Sequence, residues 1–118
     1  MAAPVLLVDS NRDELDMYAT ALALEGIRVD TAATAGEALD LLDRAQPRAL
    51  VTELRLRGTG GTELIQHVRR RLPATFIVAL TSSDGPDAGH ARDAGCDVVL
   101  HVPCLPETLL GALRRRLA

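Results

Sequence analysis

The sequence predicts a doubly wound α/β domain in which five parallel strands alternate with five helices. Three observations predict it. Short, continuous apolar runs recur at 5–8, 49–51 and 76–80, as expected for strands covered on both faces. The segments between them carry apolar residues at helical spacing. The connections are too short to hold further domains, so 118 residues make one domain, 1–118. Right-handed crossovers then leave the flavodoxin-like strand order 2-1-3-4-5 as the leading topology.

The first strand, Val5 to Val8, ends at Asp9. A helix over 13–25 follows, with Leu15, Tyr18, Ala19 and Leu22 on one face, Asn11 as its N-cap and Gly26 as its stop. Residues 28–32 read as the second strand. Thr34 caps the second helix, with Glu37 placed for a capping box and Ala38, Leu39, Leu42 and Ala45 facing inward; Pro47 ends it. The third strand, 49–51, runs into Thr52 and Glu53. A turn with Gly58, Gly60 and Gly61 precedes a third helix striped by Leu64, Ile65, Val68 and Leu72. The fourth strand, 76–80, runs into Thr81, Ser82 and Ser83. A short helix over 87–94 is closed by Gly95, the fifth strand covers 98–102, and Leu105, Leu109, Leu110, Leu113 and Leu117 mark the last helix.

Composition narrows the function. Apolar residues are 47% and charged residues 25%, which excludes general disorder. With one Tyr, one Phe and no Trp, the core must be aliphatic. The net charge of −3 lacks the basic footprint of a nucleic-acid binder. All 13 basic residues are Arg, so no site here can use a lysine ammonium. Cys96 and Cys104 lack metal-ligand spacing and read as small buried thiols in a reducing compartment. No signal-peptide pattern and no apolar stretch near the ~20 residues of a membrane span is seen, so a cytoplasmic location without membrane contact is expected.

In such a sheet the functional pocket forms at the carboxyl ends of the central strands. Those ends bring together Asp9 and Ser10, Glu53, Thr81 and Ser82, and Val102 and Pro103. Four segments then carry a resemblance. Val-Leu-Leu-Val-Asp-Ser-Asn-Arg-Asp-Glu at 5–14, Ala-Leu-Val-Thr-Glu-Leu-Arg-Leu-Arg-Gly-Thr-Gly-Gly at 49–61, Ile-Val-Ala-Leu-Thr-Ser at 77–82 and Ala-Gly-Cys-Asp-Val-Val-Leu-His-Val-Pro at 94–103 resemble, in order and spacing, the receiver domain of two-component response regulators.

The resemblance implies a pocket for phosphoryl transfer, from which this sequence departs. The family uses an acidic pair on strand 1 to help bind Mg²⁺; here Asp9 is followed by Ser10. The acceptor aspartate is Glu53, whose carboxylate stands one methylene further out. The switch hydroxyl is kept as Thr81. The lysine of strand 5 is Val102, and the aromatic switch position is Val99. Phosphoryl transfer depends on positioning and charge neutralisation, and Mg²⁺ on hard anionic oxygens. The expectation is therefore a pseudo-receiver: no enzyme, no cofactor, no metal, and no phosphorylation.

Two residues admit two readings each. Glu53 is either a built-in mimic of the phosphorylated state or an acid satisfied by local hydrogen bonds; the missing lysine and aromatic favour the second. Arg55 is either a solvated loop residue, as Arg57 is taken to be, or a cation that pairs with Asp9 or Glu53 in place of the metal. His67, His90 and His101 are scattered, and the runs Arg69–Arg71 and Arg114–Arg116 suit helix dipoles and solubility.

The resemblance implies a protein partner, a signalling kinase or an output protein. It also places the output face on the fourth helix, fifth strand and fifth helix, including Val99, Leu100 and Pro103, with a homodimer possible there. Two alternatives stand against the contact module. One is a receiver that still accepts a phosphoryl group or is held active by Glu53. The other is a small-ligand domain, disfavoured because Asp9-Ser10-Asn11-Arg12 has no phosphate-cradling glycine.

Overall fold

The computed structural model describes residues 3–56, 60–82 and 85–117. Elements run β1 (Val5–Val8), α1 (Arg12–Leu24), β2 (Val29–Ala32), α2 (Ala35–Arg44), β3 (Ala49–Glu53), α3 (Gly61–Arg71), β4 (Phe76–Thr81), α4 (Asp87–Ala94), β5 (Val98–His101) and α5 (Pro106–Leu117). The sheet is parallel in the order β2-β1-β3-β4-β5. The expected topology is the observed one. Gly58 of the expected glycine turn, Arg57 and Ser83 lie outside the described residues.

Alternation along each strand sorts the core into two layers. Leu6, Val8, Leu50, Ile77 and Ala79 pack with Ala38, Leu42, Leu64, Ile65 and Val68 beneath α2, α3 and α4. Val5, Leu7, Val51, Val78 and Leu80 pack with Leu15, Tyr18, Leu22, Leu109 and Leu113 beneath α1 and α5. Burial on both faces explains the near-continuous apolar runs of β1, β3 and β4. The edge strands β2 and β5 are only half-buried, and their sequences are correspondingly mixed.

Local chemistry sets the ends. Asn11 Oδ1 accepts from Glu14 N at 3.0 Å and caps α1. Thr34 Oγ1 accepts from Glu37 N at 3.1 Å, while Glu37 Oε2 reaches back to Ala33 N at 2.8 Å, one residue beyond the usual capping-box donor. Gly95 closes α4 with φ +116, a conformation that disfavours any side chain.

Several expectations need correction. Leu105 is 70% exposed and precedes α5, because Pro106 opens the helix. Ala45 is the C-cap of α2 rather than part of its buried face, which Ala35 completes. Val102 follows β5 instead of ending it. Neither cysteine is fully buried: both are free and half-buried, and partial burial pushes the Cys96 thiol up. The only tyrosine is fully buried, and its hydroxyl donates to Cys104 O at 2.9 Å, tying α1 to the loop before α5.

Arg69 is not a solvated helix-end arginine. Its guanidinium donates to Gly95 O at 2.9 Å, Pro73 O at 2.8 Å, Thr75 O at 3.1 Å and Asp97 Oδ2 at 2.8 Å. Asp97 Oδ2 also accepts from Ile77 N at 2.8 Å. One side chain thus joins α3 to the turns that start β4 and β5. Arg69→Ala should lower stability by about 1–3 kcal/mol, since it removes the donors to the part-buried Gly95 and Thr75 carbonyls and the cation beside Asp97. Arg69→Lys should recover little, because an ammonium lacks the planar fork. Urea unfolding midpoints of the three proteins check this.

Candidate functional site

β1, β3 and β4 end at one edge of the sheet, with Val8 beside Thr52 and Glu53 beside Leu80 in register. The next residues therefore converge. A cavity of about 220 Å³ opens there, lined by Glu14, Glu53, Arg55, Thr81, Ser82 and Val102 among others. Asp9 lies beneath, with 0% exposure.

The Glu53 carboxylate is held from β1. Its Oε1 accepts from the backbone amide of Ser10 at 2.8 Å and from the Ser10 hydroxyl in a short contact. The residue that stands where a second acid was expected is thus a donor to the residue that stands where the aspartate was expected. An acid at position 10 would repel Glu53, whereas serine satisfies it. Burial raises the Glu53 carboxyl above its usual range and nearby Asp9 adds to this, against the lowering by the two Ser10 bonds.

The backbone beside Glu53 is tightly packed. Gly61 N donates to Leu54 O at 3.0 Å, and a Cβ on Gly61 would run into the Glu53 carbonyl. Glycine is required at 61 by close approach rather than by turn conformation.

Asp9 is the strained member. Asn11 N donates to its Oδ1 at 2.9 Å, but its buried Oδ2 has no hydrogen-bond partner among the described residues. Burial, with help from the Glu14 carboxylate, pushes the Asp9 carboxyl up to about 6. Glu14, which the sequence suggests only as a helix-dipole residue, is part of this acidic group; its spacing from Asp9 on the first turn of α1 was the available signal.

Arg55 does not pair with Asp9 or Glu53. Its side chain is 75% exposed and its Nη2 lies 3.3 Å from Asp87 Oδ2, so it links the loop after β3 to the first residue of α4. Ser10 already engages Glu53, and half-buried Asp87 offers Arg55 a carboxylate in the first turn of α4. Val102 brings only apolar surface to the cavity, and its amide donates to Thr81 O at 2.9 Å. The described residues lining the cavity thus supply no positive charge directed at Glu53.

This donor set does not fit Mg²⁺. That ion needs several hard oxygens in near-octahedral array. Here one Glu53 oxygen is saturated by Ser10, Ser10 itself is neutral, and Asp9 is fully buried.

The family model of the response regulator receiver domain matches residues 5–114. The chain belongs to the response regulator receiver domain family. The response regulator MprA of Mycobacterium bovis is 30% identical over 115 residues, covering 97% of this chain and 50% of that protein. This receiver domain therefore spans about half the length of the curated relatives it matches. Among solved structures, a CheY-like receiver domain protein from Methanospirillum hungatei superposes with TM-score 0.93 at 26% identity, covering 99% of this chain and 94% of that one. The chemotaxis response regulator CheY4 of Vibrio cholerae superposes with TM-score 0.89 at 30% identity, covering 98% of each chain. Receiver domains are signalling modules that interact with kinases and output domains. No helix among the described residues is long and apolar enough to cross a membrane.

Asp9 makes stability depend on pH. Its folded pKa is raised, so the folded state binds the proton more tightly than the unfolded chain. Its contribution should therefore be most favourable below about pH 4 and decline as pH rises to about 6, by an order of 1–3 kcal/mol. Urea midpoints measured from pH 4 to 7 should show this decline, and Asp9→Asn should flatten it.

Proposed function

We propose that this receiver domain acts by protein contact without taking up a phosphoryl group. The observation that carries the reading is the engagement of Glu53 by both the amide and hydroxyl of Ser10. A carboxylate nucleophile must hold its attacking oxygen in line with the phosphorus, with cationic charge at hand to neutralise the transferring group. Glu53 is instead directed toward β1, Arg55 turns to Asp87, and Val102 replaces the lysine. Asp9, Ser10, Glu53, Arg55, Thr81 and Val102 together form the degenerate counterpart of the phospho-acceptor pocket.

The partner, a signalling kinase or an output protein, docks on α4, β5 and α5, where a homodimer can also form. Half-buried Val99 and Leu100 and exposed Pro103 belong to this face. Val99 packs toward the α4 layer and Leu100 toward the α5 layer. The strand therefore presents its edge and loop, rather than one row of side chains, to the partner. A mimic reading of Glu53 would need its charge presented toward β4, whereas its Oε1 is bonded to Ser10 on the β1 side.

Incubation with a small-molecule phosphodonor and Mg²⁺ should leave the intact mass unchanged. A substantial population heavier by one phosphoryl group, and lost in Glu53→Gln, would overturn the proposal. Glu53→Gln should also leave partner affinity within about twofold, because Ser10 can still donate to the amide oxygen.

A further inference from the structure

A second cavity, of about 200 Å³, lies at the other edge of the sheet from Glu53. Glu25, Ile27, Arg48, Leu113, Arg114 and Leu117 line it. The chain direction explains its charge. In a parallel doubly wound fold every helix ends at this edge, and arginines are favoured at helix C-termini. Arg44, Arg69, Arg70, Arg71, Arg92, Arg114, Arg115 and Arg116 all sit in last turns of α2 to α5. The acids Asp13, Glu14, Glu37, Glu63, Asp87 and Glu107 sit in first turns at the Glu53 edge. The domain is therefore polarised, basic beneath and acidic above, despite its net charge of −3.

Within the cavity the charges do not balance. Its single acid, Glu25, is taken by Arg114 at 2.6 Å. Half-buried Arg48 is left without a carboxylate, and its Nε is shielded from solvent with no hydrogen-bond partner among the described residues. Such a group is costly unless something pairs with it. Beside it, Leu113 is fully buried while Ile27 and Leu117 are half-buried, giving an apolar wall.

We propose that this cavity docks a short protein segment that presents an acidic side chain next to an apolar one. The carboxylate pairs with the Arg48 guanidinium, and the apolar side chain covers Ile27 and Leu117. The volume supports a peptide side chain over a cofactor, since small-molecule sites usually exceed about 300 Å³. Guanidinium supports a carboxylate in particular, because its planar fork matches two oxygens. The class of partner rests on the protein-contact reading, but the two fail separately: phosphoryl uptake at Glu53 would sink that reading and leave peptide binding at this edge still measurable.

The test is a titration of the full chain with a blocked hexapeptide of alternating Glu and Leu, followed by amide and arginine Nε–H NMR. The expected result is saturable shifts at Ile27, Leu113, Leu117 and the Arg48 Nε–H, with Kd of roughly 0.1–1 mM in low salt and weaker binding as salt rises. Arg48→Gln, or a peptide with Gln for Glu, should weaken binding at least about fivefold. Arg48→Gln should leave the thermal midpoint unchanged or raise it slightly, as expected when a half-buried guanidinium with an unbonded Nε is removed.

Absence of shifts at this edge, or equal binding by the Gln peptide or by Arg48→Gln, overturns the proposal. So does a midpoint lowered by several degrees in Arg48→Gln, which assigns Arg48 a structural role. Equal shifts with inorganic phosphate alone reduce the site to a simple anion pocket. Tighter binding of a single-stranded oligonucleotide at the same residues replaces the peptide with a nucleic acid. Both of these results also overturn it.

Discussion

Parallel pairing of β1, β3 and β4 is the constraint on which the rest depends. These strands are covered on both faces, so they are apolar up to their carboxyl ends and cannot carry chemistry along their length. Chemistry is confined to the residues where they stop. Because the strands share a direction, they stop at one edge, and Asp9, Glu53 and Thr81 are neighbours although far apart in sequence. The same direction starts all five helices at that edge and ends them at the other. The acidic site and the arginine-rich base are two results of one topology.

At the acidic edge, carboxylates are crowded where helix N-termini offer only partial positive charge. A metal ion and a lysine are the family's usual answer to that crowding. Here Ser10 satisfies Glu53, Asn11 bonds one oxygen of Asp9 while burial favours the protonated acid, and the loop arginine pairs with Asp87. Ser10 and Glu53 make better sense together than apart. A serine beside an aspartate acceptor would be a lost ligand, and a glutamate beside an acidic pair would be a crowded charge. Side by side, they form a donor and its acceptor.

Stability is organised around long side chains that cross between elements. Arg69 joins α3 to the starts of β4 and β5, and Tyr18 joins α1 to the loop before α5. Both lie away from the Glu53 cavity. The domain can therefore be held as one body whether or not the cavity is filled, which suits a module read by contact. The edge strands stay half-buried, and β5 in particular leaves its backbone edge and its Pro103 loop available.

The sequence by itself determined the elements, their order, the helix caps and the identity of the residues at the carboxyl edge. Those follow from local rules: side-chain periodicity, capping hydroxyls, glycine and proline stops, and the restriction of parallel strands to right-handed crossovers. It also sufficed to show that lysine chemistry is impossible, since the chain has none. Tertiary structure alone decided which polar group meets which. That Ser10 donates to Glu53, that Arg55 turns to Asp87, that Arg69 is a junction, and that the Arg48 Nε finds no partner among the described residues all depend on separations of a few ångströms between residues distant in sequence. Residue type and spacing cannot rank such partners, because each of these side chains had more than one chemically suitable mate, and only the packing of the helices on the sheet set which one lay within reach.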